Sequence, residues 1–562
     1  MNTHINCPSH FCYSTYINNE LEFKFIKVSD AMSKYYDNNG MSDDSPERKS
    51  FKANNHSWNR HGNKSIELSK QQFPIASSPI FVENDIPGGS RNHNFPSETS
   101  ETIRTRTLSE NLVRKYCFYN PVRDFDSCLQ QSINAVPSRW TRAQVEEIDI
   151  NITNTAPLIM EPFPRISPDL WIWDMWPLIE KDGSIAVLPG GWRVLFALSV
   201  PKTVLPGKRH DVARISYFYS RDGLNWIQGG YVFEEGTALG SRQWAGSAMI
   251  DNGRIYYFYT ATGRRGEAQI TYEQRIALAS SSVISNKDGV IFEDFSPHQI
   301  ILEPDGILYQ TEEQSSGGII YAFRDPFFFK DPQTGCEYLL FEGNIAGTSA
   351  DINCGPDVPA EAAEYTGNIG IALLRNNDYS SWQLLPALLE AGCTNQQTER
   401  PHIVVNDGLY YLFTDTHAST FAPGVSGPDG LYGFVAGSLR GNYVPLNGSG
   451  LVVSNPISEP FQAYSWLVLP DFSVLSFIDN FNLQGIPIEE VGFLPDSFQY
   501  AHFGGTLAQT LQLRVTDATT VISNVYPFGL MMVSETESPK CDCRLNGSKD
   551  MNHHQRSCNC RH

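Results

Sequence analysis

Three acidic side chains sit where a carboxylate has work available to it. Asp174 lies in Leu170-Trp171-Ile172-Trp173-Asp174-Met175-Trp176-Pro177, between indoles and closed by proline. Asp325 follows Arg324 in Tyr321-Ala322-Phe323-Arg324-Asp325-Pro326-Phe327-Phe328, and Glu399 precedes Arg400 in Thr398-Glu399-Arg400-Pro401-His402. Each has an ordinary structural reading. Asp174 would cap a turn beneath packed indoles. Asp-Pro commonly opens a turn, which makes Arg324–Asp325 a turn ion pair, and Glu399–Arg400 reads as a surface pair. The chemical alternative is a sugar site, where indole faces cover the apolar faces of a ring and carboxylates handle its oxygens. Taken singly, none of the three segments decides between these readings.

The elements that must position them are strands. The 562 residues include 42 Lys+Arg against 62 Asp+Glu, a formal charge of −20, which argues against nucleic acid or an anionic membrane as partner. Apolar residues make up 41% and aromatic ones 12%, enough for a large core, while charged residues reach only 19%, below the roughly 25% of ordinary soluble domains. Many Tyr, Phe and Gly with few charges fit a β-rich protein holding a neutral polar ligand. No apolar run is long enough to span a membrane. The amino-terminal residues of the chain as written lack the basic and apolar regions of a secretory signal. Eleven cysteines are too few for a disulfide scaffold at this length.

Residues 38–110 are polar and unpatterned and read as disordered, with a short helix possible around Leu108–Tyr116. From Ser138 to Ser534 the texture is of alternating aromatic strands. Trp192–Val200, Arg254–Thr262, Glu337–Asn344 and Leu409–His417 resemble one another and start 62, 83 and 72 residues apart. Asp251-Asn252-Gly253 and Asn406-Asp407-Gly408 are hairpin signals between strands. The spacing fits blades closed radially into a propeller better than βαβ units. A β-sandwich is the alternative. The organisation expected is an extension over 1–137, a catalytic β domain over 138–534, and a Cys- and His-containing tail over 535–562.

In order along the chain come Trp173-Asp174-Met175-Trp176-Pro177, Gln243-Trp244-Ala245-Gly246-Ser247-Ala248, Phe323-Arg324-Asp325-Pro326, Asn395-Gln396-Gln397-Thr398-Glu399-Arg400-Pro401-His402 and the run from Tyr411 to Gly433. Together they resemble the levansucrases and inulosucrases of glycoside hydrolase family 68. The resemblance covers Ser138 to Ser534. It implies a five-bladed β-propeller with the active site in a funnel-like central pocket, and cleavage of sucrose with transfer of the fructosyl group to sucrose, fructan or water. It further implies Asp174 as nucleophile, Glu399 as general acid/base and Asp325 as transition-state stabiliser. Retaining chemistry sets the first two about 5–5.5 Å apart, one ionised and one initially protonated. The charge on Asp174 is expected to raise the pKa of Glu399.

The same resemblance implies that Trp173 and Trp244 wall the fructosyl subsite. Arg324, Arg400, Gln397 and His417 would contact the glucosyl group or the acceptor. Gln397 and His417 match the proteobacterial branch, which often makes short oligosaccharides. The plain alternative for His417 is a strand-end histidine satisfied by Asp415 or a backbone group. Ala245 stands where many relatives carry a serine that contacts the nucleophile. Gln396 replaces an acid that helps hold calcium in the Gram-positive branch, which argues against a metal here, and no cofactor is implied. Cys354 and Cys393 match a pair bridged in some proteobacterial members. In the tail, Cys541-Asp542-Cys543 and Cys558-Asn559-Cys560 lack the usual spacing for zinc. The family is generally exported, five glycosylation sequons (Asn55, Asn63, Asn151, Asn447, Asn546) permit export, and a monomer is expected. An invertase-like hydrolase and a non-catalytic sugar-binding propeller are the functional alternatives.

Overall fold

The computed structural model describes residues 10–17, 20–27 and 124–532. The chain divides into two compact units, Met1–Glu101 and Thr102–His562. In the first, strands His10–Ile17 and Glu20–Lys27 pair antiparallel. The polar stretch over 38–110, the helix expected at Leu108–Tyr116 and the tail lie outside the described residues.

The body of the second unit is mostly β. Its recurrent aromatic runs become strands Arg193–Pro201, Arg254–Thr262, Glu337–Asn344 and Leu409–Thr416. Each is the second strand outward from the centre of its unit. Outside them run Arg214–Ser220, Gln274–Asn286, Gly367–Leu374 and Gly430–Ala436, paired antiparallel to them. The hairpin turns form as their residues dictate. Asn252 and Gly253 have φ of 50° and 78°, and Asp407 and Gly408 have 49° and 80°. Two successive positive φ values match the right-handed twist of the flanking strands, and Asn, Asp and Gly adopt them at least cost.

Five innermost strands face the middle: Leu170–Glu180, Arg242–Asp251, Arg324–Lys330, Glu399–Asn406 and Ala463–Val468. The first two meet within a nine-stranded sheet, where Leu178–Glu180 pairs parallel with Ala248–Ile250. The other three each head a five-stranded sheet. Backbone amides carry the succession onward, with Phe328 N donating to Ser247 Oγ (3.1 Å) and Val468 N to His402 Nε2 (2.9 Å). Strand Ala463–Val468 then packs against Leu170–Glu180.

A strap fastens the outside. Helix Phe125–Ser132 is capped by Asp124, whose side chain accepts from Ser127 N at 2.8 Å. Cys128 in this helix is bridged to Cys336. Ser138–Arg139 then adds a parallel edge to Leu389–Glu390. Trp140 is buried between Phe421, Tyr432 and Phe434 while its indole N–H donates to Ser449 O (2.9 Å). The packed unit thus begins ahead of Ser138, where the strand texture starts. A single helix held by a disulfide leaves no period in the sequence to mark it.

Candidate active site

All five innermost strands break register at the same level. The irregularities fall between Trp173 and Met175, Trp244 and Gly246, Arg324 and Phe327, Glu399 and His402, and Tyr464 and Leu467. The residues caught in them include Asp174, Ala245, Asp325, Arg400 and Ser465. Four have left-handed backbone: Asp174 (φ 38°), Asp325 (59°), Arg400 (50°) and Ser465 (61°). An L-residue pays roughly 1–3 kcal/mol for such a conformation, and it persists only where surrounding structure enforces it. A bulge re-aims a side chain out of the strand's alternation. Here residues of four of the five bulges, all but that at Ser465, line one central cavity of about 380 Å³.

Asp174, Asp325 and Glu399 all line that cavity, with Trp244, Ala245, Arg324, Gln397 and Arg400. Arg324 is buried and forks between two acids, its Nε 2.7 Å from Glu342 and its Nη2 2.9 Å from Glu399 Oε1. Arg400 lines the cavity with its guanidinium tied to the wall. It donates to Met175 O and to Ser465 O and Oγ, while its backbone N–H donates to Asp325 Oδ2 (3.2 Å). Asp325 is fixed from its other side by its own N–H, which donates to Thr260 Oγ1 (2.9 Å), and Thr260 donates to Ala245 O (3.0 Å).

Two expected cavity residues lie elsewhere. Trp173 is fully buried behind the wall, its ring edge-on to His210 at 5.5 Å. In an alternating strand the neighbour of an inward-facing residue faces away, and the bulge turns Asp174 rather than Trp173. His210 stands in the cavity instead, with Tyr272. His417 lines an adjoining recess with Asp429, Asp479 and Arg209, and its partner is Asp429, not Asp415. Gln396 uses its amide oxygen to accept from Thr366 N at 2.7 Å. Cys354 and Cys393 are bridged, as the resemblance implies.

The electrostatics separate the three acids. Burial raises Asp174, partly offset by Arg400 and by the Ser465 hydroxyl. Burial pushes Asp325 up to about 7, with Glu399 and Asp174 adding to the rise and Arg324 opposing it. Glu399 behaves otherwise. Burial acts to raise it, but His417, the Arg324 guanidinium and the Tyr464 hydroxyl outweigh burial and hold it below the usual glutamate value. The expectation that Asp174 would raise Glu399 is therefore corrected: the cations and donors around Glu399 outweigh everything that raises it. Tyr464, which donates to Glu399 Oε2 at 2.6 Å, was not marked by the sequence reading. Neither were Glu342, Ser465, His210 and Asp429. A buried acid closing an aromatic strand, as in Phe341-Glu342, is the signal available for Glu342.

A predominantly β fold whose strands bring three acids, arginines and an indole to one central cavity is the architecture of a carbohydrate-processing β-propeller enzyme. The Levansucrase/Invertase family model, glycoside hydrolase family 68, matches residues 130–532. The chain belongs to that family. It is 38% identical to the levansucrase LscA of Pseudomonas savastanoi pv. glycinea, over 71% of this chain and 97% of that one. Among solved structures, an inulosucrase from Halalkalicoccus jeotgali bound to kestose is 49% identical with a TM-score of 0.68, covering 72% of this chain and 99% of that one. The catalytic domain of a β-fructofuranosidase from Microbacterium saccharophilum K-1 is 30% identical with a TM-score of 0.63, over 72% and 95%.

Proposed function

We propose that this enzyme cleaves sucrose through a covalent fructosyl intermediate on Asp174, with Glu399 serving the leaving and entering oxygens and Asp325 holding the fructosyl hydroxyls. Sucrose-cleaving fructosyl transfer is the activity of its levansucrase and inulosucrase relatives. The observation that carries the reading is the meeting of Asp174, Asp325 and Glu399 on one cavity. One carboxylate forms the glycosyl ester and a second group manages the proton, the division of labour of retaining glycosidases. Asp325 needs no proton transfer for its part. Hydrogen bonds that tighten as the ring flattens toward an oxocarbenium ion raise turnover rather than affinity alone. Trp244 forms an apolar wall for the ring, and Gln397 reaches the glucosyl or acceptor side.

Within this reading the nine-stranded sheet counts as two blades joined at their inner strands, which gives five blades in all. Action outside the reducing cytoplasm is supported by the two disulfides, and by the general export of the family. The chain is taken to act as a monomer without cofactor. The relatives include a β-fructofuranosidase, and water competes with sugar hydroxyls for the same intermediate. Equal release of glucose and fructose at high sucrose would place the enzyme with the hydrolases, and less free fructose than glucose marks transfer.

The test is glucose release from sucrose by Asp174→Asn. Loss of a nucleophile costs many powers of ten. If the folded variant kept more than about a hundredth of wild-type turnover, the nucleophile would have to be sought elsewhere.

A further inference from the structure

Glu399 is well furnished to be a carboxylate and poorly furnished to be an acid. Arg324 Nη2 lies 2.9 Å from its Oε1, and the Tyr464 hydroxyl donates to its Oε2 at 2.6 Å. Both contacts favour the ionised form. Yet departure of the glucosyl oxygen requires a proton. The nearest further donor is His417, whose Nε2 is 3.8 Å from Glu399 Oε2. Its ring stacks on that of Tyr464, with centroids 3.8 Å apart and planes 11° from parallel. His417 Nδ1 is 2.8 Å from Asp429 Oδ2, and Asp429 is itself fixed by the Ala418 N–H, which donates to Oδ1 at 2.7 Å. Asp429 is buried. A carboxylate accepts only, so Nδ1 carries a hydrogen, and Nε2 is left to hold or release one beside Glu399.

We propose that Asp429 is a positioning residue which, through His417, keeps on the Glu399–His417 pair the single proton that the leaving and entering sugar oxygens exchange. This rests on the fructosyl-transfer reading above. As the bond from the fructosyl carbon to the glucosyl oxygen breaks and an Asp174 oxygen bonds to that carbon, the departing oxygen takes a proton from Glu399. That proton reaches Glu399 from His417 Nε2, so the pair is left with Glu399 ionised and His417 neutral. In the second half the acceptor hydroxyl gives its proton to Glu399 and on to His417, while its oxygen takes the fructosyl carbon and the Asp174 ester bond breaks. The histidine ends as it began, cationic.

The groups facing His417 are Glu399, Asp429, Asp479, the Tyr464 hydroxyl and His210, with Arg209 paired to Asp479 at 3.5 Å and Glu489 in the same recess. Burial opposes a charge on the imidazole, but Asp429, Glu399 and Asp479 overcome it and push His417 up to about 9. Removing the Asp429 charge lowers that value toward or below the ordinary histidine range, roughly 6.5. The measurement is kcat for glucose release against pH in wild type, Asp429→Asn and Asp429→Glu. In the wild type the rate at pH 8.5 is expected to stay above about half its plateau. In Asp429→Asn it falls below about a tenth of that variant's own plateau, with KM moved less than kcat, and Asp429→Glu restores the alkaline limb.

A uniform loss at every pH with an unmoved alkaline limb would show that Asp429 only supports structure, and would overturn the proposal. Should Asp429→Asn fail to fold, the wild-type imidazole decides. The His417 ring resonance, assigned by its disappearance in His417→Gln, is expected to titrate near pH 9, and titration below about 7.5 rejects the proton store. Glucose release by Asp174→Asn tests the fructosyl-transfer reading separately, so the two failures are distinguishable.

Discussion

Replacing Asp325 by Asn is expected to make the protein more stable while disabling it, and the gain should depend on pH. Asp325 is buried with a left-handed backbone, which Asn tolerates well. Its amide oxygen can still accept from Arg400 N, where Oδ2 now accepts at 3.2 Å. What vanishes is the ionisation of an acid pushed by burial and by its neighbours from 3.8 up to about 7. A carboxyl raised in this way contributes its full stability below about pH 4, and that contribution is lost as pH rises toward 7. At 1.36 kcal/mol per pH unit the loss is roughly 4 kcal/mol. Because repulsion from Asp174 and Glu399 is included, this is a ceiling. For a body of this size it corresponds to a Tm increase of about 4–5 °C. Thermal melts of wild type and Asp325→Asn at pH 5 and pH 8, at one scan rate, make the comparison. A variant less stable than wild type at pH 8, or equally favoured at both pH values, would refute the view that the site stores electrostatic strain.

Two other outcomes follow from the same geometry. Losing a hydroxyl that favours ionised Asp174 raises that carboxyl further, so Ser465→Ala should move the acid limb of kcat/KM to higher pH. An unmoved limb would separate Ser465 from the nucleophile. The bridges Cys128–Cys336 and Cys354–Cys393 span 208 and 39 residues. Chain entropy makes the first worth roughly 5.4 kcal/mol and the second roughly 3.9. Paired Cys→Ser variants in urea should therefore show the larger loss for the first bridge, by about 1.5 kcal/mol, and the reverse order would contradict the loop argument.

What could be read from the sequence depended on whether a residue's role is local. The repeating strands and their turns were legible because period-two aromatic runs and Asn-Asp-Gly turns are local physics, and the runs at Arg254–Thr262 and Glu337–Asn344 have the expected bounds. The three acids were legible through motifs shared with a family, not through their own chemistry. Strand Ser473–Asn480 was missed because it carries one aromatic residue where the runs of its counterparts carry two or more. The low state of Glu399 was illegible because it depends on Arg324, Tyr464 and His417, which arrive from two other strands and the end of a third. Asp429 lies in Gly427-Pro428-Asp429-Gly430, which reads as a turn and nothing more. Its role exists only once the loop folds back over His417.

The level ring of bulges has a consequence for how such a molecule diversifies. The three acids Asp174, Asp325 and Glu399 hang from hydrogen-bonded ladders rather than from the segments that join them. Those joining segments can lengthen, shorten or acquire new side chains without shifting Asp174, Asp325 or Glu399. The fold therefore separates two kinds of inheritance: the three acids are written in the ladders, and what surrounds the opening of the cavity is written in the segments between them.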